Sequence, residues 1–198
     1  MLISYNLSSL VIDTLCKRAV EENAGVACFY FDFAVKEGQS ADAVLGSVLR
    51  QIIGGKEIPE GITEAFHDQK KVIGGQKLEL PAIVKFLQDI TYSRPAFICI
   101  DALDECQVKH QAKLLESLEK ILRNSPNARL FLTGREDIRA KVEVCLGKRA
   151  ATRSITPAKN DMVTFLQAKL DNDETPEVMD EELKMDIMQK LPKIVSEM

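Results

Sequence analysis

No glycine-rich phosphate loop of the form G-x-x-x-x-G-K-[ST], no CxxC pair, no GxSxG elbow and no apolar run of membrane-spanning length occurs in these 198 residues. Each absence narrows the field. Without GxSxG there is no basis for a hydrolase triad. The two histidines, His67 and His110, have no ligand neighbour three or four residues after them, which argues against a zinc site. The five cysteines (Cys16, Cys28, Cys99, Cys106 and Cys145) are odd in number and scattered. They read as small core residues in a reducing, cytoplasmic compartment rather than as a disulfide framework. A net charge of −4 with no basic stripe excludes nucleic acid as the main partner. The missing long apolar run excludes a membrane span, and no basic segment with a small-residue cleavage site marks a secretory signal.

What remains is an ordinary globular composition, 45% hydrophobic and 28% charged, long enough for one real core and a small appendage. The most informative stretch is Ala96–Cys106, AFICIDALDEC. Phe97-Ile98-Cys99-Ile100 is a continuous apolar run, the pattern of a strand buried on both faces of a parallel sheet. It stops at Asp101, and Asp104 and Glu105 follow. Open α/β sheets bind ligands at the carboxyl ends of their strands, so these acids fall where a site belongs. A carboxylate at such a strand tip can hold Mg²⁺, and a second just beyond it can orient or deprotonate a water. The plainer reading is that Asp104 and Glu105 cap the next helix and complement its dipole.

Along the chain, Leu7, Leu10, Val11, Leu15 and Ala19 recur at helical spacing and predict a helix over about 7–22. Val26 to Phe33 predicts a strand, with Asp32 near its end as a turn-facing acid or a site residue. Ser40 can cap a helix bearing Val44, Leu45, Val48, Leu49 and Ile52. Gly54-Gly55-Lys56 imitates a phosphate loop, yet it follows a helix and no Ser or Thr comes next; Gly74-Gly75 is likewise a loop. Pro81 opens a helix to about Thr91. Val108 to Leu122 is the expected crossover helix, and Arg129 to Thr133 a second buried strand ending in Gly134-Arg135-Glu136. Strand, acids, helix, strand, polar tip is the order of a parallel α/β domain. Arg135 then shares the sheet edge with Asp101, where a guanidinium could meet a phosphate or simply open a helix. Helices are expected over 137–146, around Met162–Leu170 and around Leu183–Leu191, with a short last strand at 151–155. Asp171–Glu182 holds seven acids in twelve residues and reads as a solvated connection. The expected organisation is an α/β domain over 1–155 and the start of a helical part over 156–198.

Phe97–Cys106 resembles the Walker B motif of NACHT-type P-loop NTPases: a hydrophobic strand, an Asp, a small residue, then Asp-Glu. Leu130–Glu136, LFLTGRE, is similar to that family's next strand and its Thr-x-Arg sensor. Tyr30–Ile53 resembles the intervening strand and helix, including Leu49-Arg50-Gln51, and Leu7–Asp13 the helix after the phosphate loop. Ile155–Leu170 is similar to the segment entering the helical subdomain. The nearest group is the nephrocystin-like NACHT regions preceding ankyrin or other repeats in receptor-like proteins. The resemblance implies a switch that binds ATP or GTP with Mg²⁺ in the cytoplasm. It implies Asp101 at the metal, Asp104 and Glu105 positioning or activating the attacking water, and Arg135 with Thr133 reading the γ-phosphate. It implies partners among other domains of a parent receptor, such as its helical subdomain and repeats, and among like protomers.

The chain departs from that pattern before Leu7, where it reads Met1-Leu2-Ile3-Ser4-Tyr5-Asn6 and not a phosphate loop. The expectation is a parallel P-loop NTPase-like sheet lacking its first, central strand, with a groove left in the core. Loop amides and lysine supply most triphosphate binding, so binding and hydrolysis should be impaired in this chain. Two other classes stay open. One is a non-enzymatic interaction or oligomerisation module. The other is a phosphoacceptor receiver, for Asp101 and Thr133 end consecutive strands, although no acid pair or lysine is well placed for it.

Overall fold

The apolar run at Phe97–Ile100 lies inside β2 (Ala96–Asp101), the middle strand of a three-stranded sheet ordered β1-β2-β3. The computed structural model describes residues 2–35, 38–54, 61, 63–64, 78–147, 150–155, 158–172 and 179–196. Both neighbours run parallel to β2: β1 (Gly25–Tyr30) pairs Cys28 with Cys99 and Tyr30 with Asp101, while β3 (Ala128–Leu132) pairs Leu132 with Ile100. Helices α1 (Leu2–Glu22), α2 (Ala41–Ile53), α3 (Leu80–Ser93), α4 (Val108–Asn124) and α5 (Glu136–Leu146) flank this sheet. The fold is the expected open α/β sheet, all parallel.

Helical periodicity explains the covered face. Val44, Leu45, Val48, Leu49 and Ile52 form the buried stripe of α2; Ile83, Val84 and Leu87 that of α3; Leu114, Leu115, Leu118 and Ile121 that of α4. They close on Ala27, Ile98 and Ile100 of the strands in one cluster. Burying an aliphatic side chain of this size is worth about 1.5–3 kcal/mol. Pro81 falls in the first turn of α3, where its missing N–H costs nothing. Ser40 occupies the N-cap position of α2, but its hydroxyl makes no capping bond.

The two sheet edges are finished differently. At β1 the Gln51 amide imitates a neighbouring strand: the Cys28 N–H donates to Gln51 Oε1 at 3.0 Å, and Gln51 Nε2 donates to the Cys28 carbonyl at 2.9 Å. Nearby, Arg94 Nη2 donates to the Ile52 carbonyl at the end of α2, 2.9 Å away. A Cβ on Gly25 would sit 2.8 Å from that nitrogen, so a larger residue here would displace the Arg94 guanidinium from its bond to Ile52. Along β3 the Arg129 guanidinium holds the Ala128 carbonyl, and no strand partner follows among the described residues. The groove expected in the core for want of a central strand does not part the strands. β1, β2 and β3 pair without a gap, and the uncovered ladder lies at the outer edge of β3.

Residues 151–155, expected as a strand, are irregular and exposed. Ile155 is the single large apolar residue there, too little to fix a strand on a sheet. Cysteine burial is also uneven: Cys99 and Cys106 are buried, while Cys16 is exposed on α1. Gly55-Lys56, Gly74-Gly75 and His67 lie outside the described residues. By contact density, residues Met1–Ala151 form one compact unit and Thr152–Met198 another. Within the second, α6 (Lys159–Asp171) packs on α7 (Glu181–Ser196).

Candidate functional site

At the carboxyl edge of the sheet, β2 delivers Asp101 into a buried position, 3% exposed. Two hydroxyls reach its Oδ1: Ser8 Oγ from α1 and Thr133 Oγ1 from the end of β3. Its Oδ2 is buried with no hydrogen-bond partner. A buried carboxylate oxygen without a donor is rare and costly, since burial strips its water. Tyr30 stands opposite Asp101 in register and hydrogen-bonds Ser9, and burial pushes its hydroxyl pKa up.

Directly after Asp101 the chain turns sharply. Ala102 adopts a left-handed conformation, φ +54°, and its N–H donates to Thr133 Oγ1 at 3.0 Å. Such a backbone costs a non-glycine residue about 1–2 kcal/mol and is held only where neighbours over-determine it. A single 3₁₀ turn, Leu103–Glu105, follows. Leu103 is fully buried, and its N–H donates to the Thr133 carbonyl at 2.9 Å, which locks the turn to the end of β3.

That turn sends its two acids to opposite flanks of β2. Asp104 reaches toward β3: its Oδ2 lies 3.2 Å from Arg135 Nε, and its Oδ1 accepts the Arg135 N–H at 3.2 Å. The Asp104 side chain is 9% exposed and that of Arg135 69% exposed, so the guanidinium faces solvent while the carboxylate does not. Glu105 reaches toward β1, where its Oε2 accepts the Phe33 N–H at 3.0 Å. The plainer alternative, that these acids cap the next helix, does not hold for α4, whose cap position is occupied by Gln107.

The structure thus gathers Asp101, Asp104, Glu105, Thr133 and Arg135 on one sheet edge. Asp32 spends its Oδ1 on the Ala34 N–H, 2.8 Å, as a turn acid does. Two contributors were not foreseen. Ser8 is 1% exposed and falls on the inward stripe with Val11, Leu15 and Ala19, a spacing that could have revealed a hydroxyl aimed at the sheet. Gly134 lets the loop after β3 press on Asp104: an added Cβ would lie 3.3 Å from Asp104 Oδ1 and 2.8 Å from Ile138 Cγ2. A bare glycine in a loop carries no such signal.

Between α1 and the sheet, reaching Pro95 and Asn127 at the amino ends of β2 and β3 rather than the Asp101 edge, lies a groove of about 440 Å³ lined by Val11, Leu15, Phe97, Cys99, Arg129 and Phe131. Cys99 on its floor has its thiol pKa pushed up to about 12, chiefly by burial and secondarily by the neighbouring Cys28 and Cys16. No group of three or more His, Cys, Asp or Glu side chains among the described residues is gathered to hold a metal ion by itself. No helix among them is long and apolar enough to cross a membrane.

The family model described as nephrocystin 3, N-terminal, matches residues 6–135, more than half of the chain, including every residue of this edge. No curated protein matches it.

Proposed function

For a chain that belongs to the nephrocystin 3 N-terminal family, we propose the role of a NACHT-class, nucleotide-dependent signalling switch with weakened nucleotide binding. The observation that carries this reading is the buried, unpartnered Oδ2 of Asp101 at the carboxyl end of the central strand. A purely structural acid would be expected to satisfy both oxygens. With Oδ1 spent on Ser8 and Thr133, Oδ2 remains as the acceptor of this carboxyl group without a donor.

That acceptor set suits a hard divalent cation, which takes oxygen ligands and keeps most of its waters. Asp101 and the Ser8 and Thr133 hydroxyls would hold Mg²⁺, directly or through water. When bound, the ion supplies charge neutralisation at the phosphate oxygens of ATP or GTP. Arg135 is the exposed cation of this edge; it would exchange Asp104 for a phosphate, a bidentate geometry guanidinium favours. Asp104 and Glu105 would then orient the attacking water. The amides and lysine of a phosphate loop are not among the 198 residues, so affinity is low and hydrolysis slow.

A second reading, a non-enzymatic interaction or oligomerisation module, is supported by the edge of β3, which pairs with no further strand among the described residues, and by the groove beside it. Its partners would be other domains of a receptor or like protomers. A thermal melt with millimolar Mg·ATP, Mg·GTP or Mg²⁺ alone separates the two readings. A ligand selective for the folded state stabilises it by about 2.7 kcal/mol at a hundredfold excess over Kd. The switch reading expects a small rise with nucleotide that Arg135→Ala abolishes. No rise, or the same rise in Arg135→Ala, removes it and leaves the interaction module.

A further inference from the structure

The turn after β1 carries its apolar tip in water. Phe33 is 75% exposed and Val35 49% exposed, so burial does not hold this tip in place. Internal bonds brace it: Asp32 Oδ1 accepts the Ala34 N–H, and the Gln39 amide exchanges bonds with the Asp32 backbone at 3.1 and 2.7 Å. Among the described residues, one hydrogen bond ties residues 32–35 to the 103–105 turn, from the Phe33 N–H to Glu105 Oε2. The same carboxylate is the one the nucleotide reading needs beside Asp101 and Arg135. Those two demands lie on opposite flanks of β2, because Phe33 follows β1 and Arg135 follows β3. With Oε2 on the Phe33 N–H, the Glu105 carboxylate is turned toward β1, while Arg135 is paired with Asp104 on the β3 side.

We propose that Glu105 is a two-position latch coupling the site to the Phe33 tip. Turned to β1, it fixes Phe33 and stands away from the phosphate position. Turned to the centre, it orients water and releases Phe33. The inference rests on the nucleotide reading and adds to it a route by which site occupancy reaches an exposed apolar surface. Hydrogen bonds to a charged acceptor are the stronger kind, so the exchange is a discrete event and not a gradual drift.

The test is amide hydrogen exchange of the full chain by NMR, read at Phe33, Gly134 and Arg135. Glu105→Ala should speed exchange at Phe33 about tenfold, whereas Glu105→Gln, which keeps a side-chain oxygen but loses its charge, should fall between that rate and the wild-type rate. Millimolar Mg·ATP should shift the Gly134 and Arg135 amides of the wild type and speed Phe33 exchange toward the Glu105→Ala rate. If Phe33 exchange ignores Glu105→Ala, the latch is overturned. If nucleotide moves Gly134 and Arg135 but leaves Phe33 exchange unchanged, the coupling is overturned and the nucleotide reading stands. If neither Mg·ATP nor Mg·GTP moves any of these amides, the nucleotide reading falls and the coupling with it.

Discussion

The two faces of the sheet are built to different standards. On one, α2, α3 and α4 bury Val44, Leu45, Leu87, Leu114 and Leu115 completely against Ile98 and Ile100. On the other, α1 is the helix among the described residues, its Val11 and Leu15 half-buried above a groove of about 440 Å³, and its Ser8 reaches the Asp101 carboxylate. The three-helix face supplies stability. The α1 face supplies the Ser8 hydroxyl to Asp101 at the carboxyl ends of the strands and tolerates open space toward their amino ends.

The largest expected effects break the first face. Leu114→Ala removes a fully buried side chain and should cost about 2–5 kcal/mol in denaturant unfolding. Val11→Ala on the open face should cost about 1 kcal/mol or less, since the groove already exposes part of that side chain. Comparable losses for both would erase the distinction between the faces. Next comes Ser8→Ala, which strips one of the two donors from Asp101 Oδ1 and should cost about 1–3 kcal/mol; Ser8→Thr, which keeps the hydroxyl, should recover most of it.

A pH series sharpens the contrast further. The Cys99 thiol is pushed from 9.0 up to about 12 in the folded chain, so between these values the unfolded chain releases a proton that the folded one keeps. Its contribution to stability is complete below about pH 9 and lost as pH rises toward 12, at up to about 1.4 kcal/mol per pH unit. Melts of wild type and Cys99→Ala from pH 8 to 11, each set against its own neutral value, should diverge above pH 9 with the wild type falling faster. The smallest effect belongs to Ala102→Gly, which relieves the left-handed strain and should leave stability unchanged or raise it by about 1 kcal/mol.

Much of this was legible beforehand because burial imposes strong patterns. The uninterrupted Phe97–Ile100 run announced a doubly covered central strand, and the stripes of α2 and α4 announced the helices that cover it. The acids at 101, 104 and 105 and Arg135 fell on one edge because parallel strands joined by crossover helices leave every carboxyl end on the same side. What stayed hidden depends on direction, not composition. Sequence places Asp104 and Glu105 side by side, but the 3₁₀ turn sends one to Arg135 and the other to Phe33. Ser8 drew no reading from the sequence, and the register of α1 aims it at Asp101. The 151–155 strand was expected from position in the chain, and a single apolar residue could not build it.

The most direct test of the central claim replaces Mg²⁺ by Mn²⁺ in the presence of ATP and maps paramagnetic broadening over the backbone amides. The account expects the strongest loss of signal at Ala102, Leu103 and Thr133, around Asp101 Oδ2, and none of it in Asp101→Asn, whose side-chain oxygen can still accept from Ser8 and Thr133. Broadening concentrated elsewhere, as in the acid-rich stretch 171–182, or broadening unchanged by Asp101→Asn, would contradict it.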